Sequence, residues 1–135
     1  MPEGLGNVVI AIFDRCPFDT INGAEDLRKI LVGACESAGA VIINSLDYQF
    51  HKTESPETRD CASAVALMVE SHGAVHSWSK RNLLVLVVCI RGSVDPLKVT
   101  CLVGKFVEAS RFKIVLTDLE ELFNDGRFPW VSCGS

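Results

Sequence analysis

The sequence lacks the features that mark several classes of protein. It has no stripe of lysine and arginine, and its formal net charge is −4. Nucleic acid is therefore not an expected partner, because phosphate binding needs a concentrated basic surface. The longest apolar run, Leu83 to Ile90, covers eight residues and is too short to span a bilayer. The first residues do not resemble a secretory segment. We therefore expect a cytoplasmic protein with no membrane partner.

Paired cysteine motifs are also missing. The six cysteines are widely spaced and form no CxxC pair, so we expect reduced thiols that serve mostly as small core residues. His72 and His76 are the nearest approach to a ligand set, but two ligands do not close a metal site. The sequence therefore predicts no metal.

What is present is an apolar chain of one domain's length. Its 135 residues are 48% hydrophobic, which predicts a single domain over residues 1–135. The periodicity predicts five strands, at Val8–Asp14, Ala40–Phe50, Ala62–Ser71, Asn82–Arg91 and Phe112–Leu116. It also predicts two helices, Ala24–Ala38 capped by Thr20 or Asn22, and a helix from Asp95-Pro96 to about Ser110. The order β-α-β-β-β-α-β favours an α+β sandwich, with both helices on one face of a mostly antiparallel sheet.

One short stretch combines groups that can do chemistry. In "VESHGAVHSW", Ser71 follows Glu70, and His76 comes five residues later, beyond what looks like a tight "HGAV" turn. If the third strand runs to Ser71, alternation places Ser63 and Ser71 on one face. A serine becomes a nucleophile when a base lies within hydrogen-bond reach. The commoner interpretation of the residues alone is that Ser71 ends a strand and the histidines lie in a loop.

At this stretch the chain resembles a known family. "ESHGAVHSW", an apolar strand and then "GSVDP" are similar to the bacterial and archaeal S-adenosylmethionine decarboxylase proenzymes. In that family the stretch reads E-S-H-x-x-x-H-T-W, followed by a strand, a Cys-Gly pair and V-D-P. The resemblance extends from about Val8 to Leu116.

The resemblance implies that the chain cleaves itself. Ser71 would attack the carbonyl of Glu70 and divide the protein into a β chain, residues 1–70, and an α chain, residues 71–135. Residue 71 would become a covalent pyruvoyl group, with His76 and Ser63 as processing residues. The pyruvoyl group would then serve decarboxylation of a small-molecule substrate, S-adenosylmethionine, for polyamine (spermidine) synthesis. A homodimer is implied as well.

Several positions depart from the family pattern. The family's catalytic cysteine falls on Arg91, so Cys89, two residues earlier, is our candidate proton donor; the alternative is a buried packing residue. Lys80 replaces an acidic residue that contacts substrate, and Ile12 replaces a glutamate. Phe50 matches the phenylalanine on which the family stacks adenine, although a packing role is equally open. We therefore predict a substrate site that includes Phe50, Arg91 and Lys80.

These departures leave other functions open. Lys80 and Arg91 should repel the sulfonium cation by about 1 kcal/mol or more per unscreened charge, while Arg91 suits a carboxylate. One alternative is a pyruvoyl-dependent decarboxylase of arginine or ornithine, with Asp47 contacting the cationic side chain. The other is a non-catalytic paralogue that acts by binding.

Overall fold

A computed structural model of the protein describes residues 4–51 and 59–134. The predicted loop from His51 to Asp60 lies largely outside these residues. The strands are β1 (Asn7–Asp14), β2 (Ile42–Gln49), β3 (Ala62–Met68), β4 (Ser71–Trp78), β5 (Leu83–Ile90) and β6 (Arg111–Asp118). The helices are α1 (Phe18–Ile21), α2 (Ala24–Ser37), α3 (Pro96–Phe106) and α4 (Leu119–Asn124), with a 3-10 turn at Ser79–Arg81.

The strands form one sheet with the order β2-β3-β4-β5-β1-β6. Every neighbouring pair is antiparallel. Helices α2 and α3 pack on one face, where their buried residues join those of the strands in a single core cluster. The predicted α+β class, with two helices on one face of an antiparallel sheet, is confirmed.

The sheet has one strand more than the sequence predicts. The predicted third strand, Ala62 to Ser71, is wrong in its extent, because β3 ends at Met68 and the chain turns there. The stretch from Ser71 to Trp78 is β4, and the predicted "HGAV" turn is also wrong. Gly73, which suggested that turn, lies within β4 and faces the side chains of Leu31 and Val88.

The two predicted helices follow their sequence patterns, except at one cap and at the end of α3, which stops at Phe106 rather than near Ser110. Four residues of α2 are buried at the predicted helical spacing: Leu27, Leu31, Ala34 and Cys35. However, α2 begins after Gly23 with no side-chain cap, so the predicted cap is wrong. Thr20 lies in α1 instead, where its hydroxyl is within hydrogen-bond distance of two carbonyl acceptors, those of Pro17 and Val107. Asp95 caps α3 as predicted, accepting a hydrogen bond from the Leu97 N–H.

The face of the sheet opposite the helices is open and largely apolar. A continuous cross-strand row crosses all six strands and consists of Leu46, Val65, Ala74, Val87, Ile10 and Val115. Its five larger side chains are between 37% and 67% exposed. An apolar surface of this extent is unusual on a monomer and is typical of an interaction surface.

The segment after β6 folds back on the N-terminal residues. The Leu119 N–H donates to the Gly6 carbonyl. The rings of Phe123 and Trp130 stack edge-on, with centroids 5.2 Å apart. Among residues 4–51 and 59–134, no helix has the length and apolar character needed to cross a membrane.

Candidate active site

Ser63 and His76 form a hydrogen-bonded pair on the open face of the sheet. They lie directly opposite each other in β3 and β4, and Ser63 Oγ is 2.5 Å from His76 Nδ1. Because alternate residues of a strand face the same side, the pair shares this face with the exposed Val65 and Leu67. The structure therefore brings together the two residues that the resemblance assigns to processing, while their roles stay predictions.

Aromatic rings surround the imidazole of His76. The ring centroid of Phe50 is 5.7 Å away and that of Trp78 is 4.4 Å away, both edge-on. Burial among these groups lowers the pKa of His76 below its usual 6.5. The imidazole is therefore neutral at neutral pH and can accept a proton. Phe50 also contacts the ring of Tyr48, so it packs within an aromatic cluster beside the pair.

The predicted cleavage bond lies in the turn between β3 and β4. Met68 and Ser71 are paired, so Val69 and Glu70 form a two-residue turn. Glu70 has a φ of 58°, a left-handed conformation that costs a residue with a side chain about 1 kcal/mol. Ser71 is only 6% exposed, and its Oγ accepts a hydrogen bond of 3.2 Å from the Arg91 N–H. The Glu70–Ser71 peptide bond therefore lies between a residue in a strained backbone conformation and a serine whose hydroxyl is fixed by a hydrogen bond.

The predicted placement of Ser71 beside Ser63 and His76 is wrong within one chain. Ser71 and His76 are five residues apart in β4, which corresponds to about 16 Å along a strand. Five is also an odd number of steps, so Ser71 faces the helices and His76 faces the open side. For the same reason Ser71 does not share a face with Ser63. The expected alternation does not hold because β3 ends at Met68 and the chain turns at Val69 and Glu70 before it reaches Ser71.

Arg91 lies immediately after β5 and reaches the cleavage bond. Its Nη1 is 2.6 Å from Glu70 Oε1, in an ion pair whose side chains are 45% and 57% exposed. Its Nε donates to the Gly4 carbonyl at 3.3 Å. In the uncleaved chain, then, the guanidinium that the sequence assigns to substrate is engaged by Glu70. Sequence reasoning missed this pair, which depends on the register of β4 against β5.

Cys89 faces the open side, close to the cleavage bond. It lies directly opposite His72 of β4, the residue that follows Ser71, and it is half-buried. The alternative of a fully buried packing residue is not observed. Residues directly opposite in an antiparallel pair have Cβ atoms about 5 Å apart, so the thiol and the imidazole of His72 are neighbours. The position of Cys89 is therefore compatible with its predicted role as a proton donor.

Lys80 and Ile12 lie at the other end of the sheet. Lys80 is in the 3-10 turn that follows β4. Val85 of β5 lies between Ile12 of β1 and His76 of β4 and is directly opposite both. Ile12 is therefore two strand spacings, or about 10 Å, from His76. A cleft of about 570 Å³ opens here, and its lining consists of Ile12, Asp14, Arg81, Leu83, Arg111, Phe112 and Lys113. Three of these residues are cationic and only Asp14 is acidic, so this end of the sheet does not favour a cation.

Asp47 does not face the candidate site. Its carboxylate accepts a hydrogen bond of 2.6 Å from Arg28 Nε, and Arg28 belongs to α2. Asp47 therefore points toward the helices, on the opposite side of the sheet from Ser63 and His76. The suggestion that Asp47 contacts a cationic substrate is not supported by this placement.

The cysteines differ in their burial. Cys16, Cys35 and Cys61 are buried, Cys89 is half-buried, and Cys101 and Cys133 are exposed, and all six are free thiols. Half of them are thus not core residues, contrary to the expectation that most would be. Burial raises the pKa of both Cys16 and Cys35 to about 11. Within the described ranges, no three His, Cys, Asp or Glu side chains form a group suited to a metal ion.

Comparison with protein families gives a match that covers most of the chain. The family described as S-adenosylmethionine decarboxylase matches residues 7–118, the segment from β1 to the end of β6. A protein from Aquifex aeolicus, named S-adenosylmethionine decarboxylase proenzyme, is 33% identical over 98 residues, or 73% of this chain and 66% of its own length. One of the same name from Carboxydothermus hydrogenoformans is 34% identical over 104 residues, 76% of each chain.

A solved structure has the same fold. It is the crystal structure of the adenosylmethionine decarboxylase from Aquifex aeolicus, which superposes with a TM-score of 0.73 over 87% of this chain and 92% of its own. The sequence identity over that superposition is 24%. This likeness therefore supports the arrangement of strands and helices rather than the role of any single residue.

Proposed function

The chain belongs to the S-adenosylmethionine decarboxylase family, and from this premise we propose that it is a self-processing, pyruvoyl-dependent decarboxylase of S-adenosylmethionine that serves polyamine synthesis. The curated relatives of the chain are named as proenzymes, so the same maturation is proposed here. The observation that carries the proposal is the Glu70–Ser71 bond, which lies in a strained turn with the serine hydroxyl held beside it.

In the proposed maturation, Ser71 Oγ bonds to the carbonyl carbon of Glu70. The carbon–nitrogen bond breaks, and the hydroxyl proton ends on the amine of residue 71. The resulting ester then loses the α-proton of residue 71, and Oγ leaves as part of the Glu70 carboxylate. Water replaces the nitrogen on the remaining unsaturated residue, ammonia leaves, and a pyruvoyl group blocks the N-terminus of the 71–135 chain. Each proton transfer needs a base close to residue 71.

The base comes from a second copy in this proposal. The Ser63–His76 pair is about 16 Å of strand away from Ser71 in its own chain and on the opposite face. A two-fold dimer through the open faces would bring the pair of one chain toward the Glu70–Ser71 turn of the other, where the Ser71 side chain would have to turn from the helix side to meet it. Because such an interface is isologous, it makes two equivalent composite sites.

The chemistry of the open face supports a second copy as its cover. The row from Leu46 to Val115 exposes large apolar side chains on every strand except β4, whose member of the row is Ala74. Covering this face would stabilise the dimer by about 25 cal/mol for each Å² of apolar surface removed from water. The face is also the one that carries Ser63, His76 and Cys89, so covering it would exclude water from the candidate site.

The residues beside the turn fit the use of a pyruvoyl group. Such a group supplies an electrophilic carbonyl that binds a substrate amine and accepts the electrons released as carbon dioxide leaves. Cys89, on the open face near residue 71, is proposed to deliver a proton to the α-carbon. Phe50 is proposed to stack against the adenine ring, since it lies beside His76 on the composite site. Lys80 is proposed to line the same site.

One observation favours a second candidate function, a non-catalytic paralogue that acts by binding. Arg91 occupies the position of the family's cysteine, and its guanidinium is paired with Glu70. Decarboxylation of arginine or ornithine has less support, because Asp47, the residue suggested to contact a cationic side chain, faces the helices. A cytoplasmic location is proposed on the ground of the free thiols.

Intact mass spectrometry of the purified full chain tests the proposal. We expect two fragments, residues 1–70 and 71–135, with the second blocked at its N-terminus. Ser71→Ala is the control, and it should remain full length with an unchanged circular dichroism spectrum. A wild-type protein that stays whole after prolonged incubation at neutral pH would exclude the enzyme and leave the binding paralogue.

A further inference from the structure

Arg91 contacts the residues on both sides of the proposed cleavage bond. Its backbone N–H donates to Ser71 Oγ at 3.2 Å, and its guanidinium is 2.6 Å from the Glu70 carboxylate. A third contact, from Nε to the Gly4 carbonyl, ties the same side chain to the N-terminal segment. One residue thus holds both the attacking hydroxyl and the side chain of the residue that would be attacked.

The ion pair between Arg91 and Glu70 bears on the backbone conformation of the turn. A two-residue turn with a left-handed second residue normally has glycine there, but this chain has Glu70 with a φ of 58°. A glutamate in that conformation tends to relax unless its surroundings hold it. The ion pair between Glu70 and Arg91 opposes this relaxation.

The backbone of Arg91 lies in a closely packed part of the structure. Gly6 has a φ of 109°, and a Cβ at that position would be 2.5 Å from the Ile90 carbonyl oxygen. The N-terminal segment therefore passes close against the end of β5, directly beside Arg91. The backbone N–H that reaches Ser71 belongs to this packed junction, so the donor is fixed in place rather than carried by a free loop.

We propose that Arg91 is the positioning residue of self-cleavage, and this inference rests on the proposed function. The guanidinium keeps Glu70 in its left-handed conformation, so that the carbonyl carbon stays next to Ser71 Oγ. As the proton leaves Oγ, the Arg91 N–H stabilises the negative charge that develops there, because hydrogen bonds to charged oxygen are the stronger kind. The bond that forms is Oγ–C, the bond that breaks is C–N, and the proton moves to the amine of residue 71.

Rates of cleavage in Arg91 variants test the positioning role. Arg91→Gln and Glu70→Gln should each slow cleavage by about fivefold, the upper range for a partly exposed ion pair. The double variant should be no slower than either single one, since both remove the same contact. The charge swap Glu70→Arg with Arg91→Glu should restore the rate to within about twofold of wild type, and high salt should slow wild type but not Arg91→Gln.

Arg127→Gln is the matched control. Arg127 makes an ion pair of the same length, 2.6 Å, with Asp125 in the C-terminal segment, far in sequence from the bond. Its loss should leave the cleavage rate unchanged. If Arg91→Gln cleaves as fast as Arg127→Gln, or if the charge swap rescues nothing, the positioning role is overturned.

A second readout separates this inference from the proposed function. In a Ser71→Ala background, which cannot cleave, hydrogen exchange at residues 69–72 should be about fivefold faster with Arg91→Gln than without it. Equal exchange rates overturn the positioning role whether or not the wild-type protein cleaves. Conversely, faster exchange in a chain that never cleaves would retain the role in holding the turn and exclude only the self-processing.

Discussion

Ser71 and His76 lie in the same strand and face opposite sides of the sheet. The hydroxyl of Ser71 is directed toward the helices and meets the Arg91 N–H, whereas His76 meets Ser63 and the aromatic rings on the open side. The two groups that the proposed self-cleavage needs are therefore separated in each chain. The proposed cleavage therefore depends on how two chains associate, and this arrangement can be tested.

Mixed dimers distinguish the two arrangements. Ser71→Ala retains the Ser63–His76 pair but cannot be cleaved, and His76→Ala retains Ser71 but has lost the base. Each variant alone should stay whole. When the two are co-expressed, mixed dimers should cleave the His76→Ala chain only, as seen by intact mass. If His76 acted within its own chain, co-expression would yield no cleavage at all.

The pH dependence of cleavage follows from the environment of His76. Burial lowers its pKa below 6.5, so the imidazole remains a base at neutral pH and loses this capacity only when protonated. The rate should be constant above pH 6.5 and decline only below it. Because the unfolded chain takes up the proton more readily, folding stability should fall over the same acid range. A rate that already declines between pH 8 and pH 7 would contradict this assignment.

Cys89 should matter for decarboxylation and not for maturation. Cys89→Ala removes a half-buried thiol that lies opposite His72, so the chain should still cleave into residues 1–70 and 71–135. Release of carbon dioxide from S-adenosylmethionine by the processed protein should fall by about 100-fold, as for loss of a general acid. Arg91→Cys, which restores the family's residue, is the companion variant. Full activity of Cys89→Ala would assign the proton to another donor.

Thiol labelling should separate the cysteines by burial. Cys101 and Cys133 are exposed, so they should react with a thiol reagent within minutes at neutral pH. Cys16 and Cys35, whose pKa burial raises to about 11, should react only after unfolding, because the thiolate is the reactive form. Peptide mapping of the labelled sites provides the measurement, and early labelling of Cys35 would contradict the packing of α2.

Local periodicity was enough to predict much of the fold. The helical spacing of Leu27, Leu31 and Cys35 gave the buried face of α2, and Asp95-Pro96 gave the start of α3. The stretch at β4 was missed because Gly73 suggested a turn. The alternation of small residues facing the helices with His72, His76 and Trp78 facing outward is the signal that identifies a strand there.

The candidate site was only partly predictable, for a different reason. The resemblance identified Ser63, Ser71 and His76, and the structure joins the first and last of these. Nothing in the local sequence specifies that Arg91 meets Glu70, because that contact arises from the pairing of β4 with β5 and from the return of the N-terminal segment to the end of β5. Contacts between residues distant in sequence need a register, which periodicity alone does not supply.

The strand order has a consequence for the cleaved protein. Residues 1–70 contribute β1, β2 and β3, while residues 71–135 contribute β4, β5 and β6. The strands of the two fragments are interleaved in the sheet, since β1 of the first fragment lies between β5 and β6 of the second. Separating the two fragments would require breaking the β3–β4, β5–β1 and β1–β6 ladders together. A protein cleaved as proposed would thus be an interleaved pair of chains, which should migrate as one species until a denaturant is added, because each fragment alone keeps a single two-stranded ladder, β2–β3 or β4–β5.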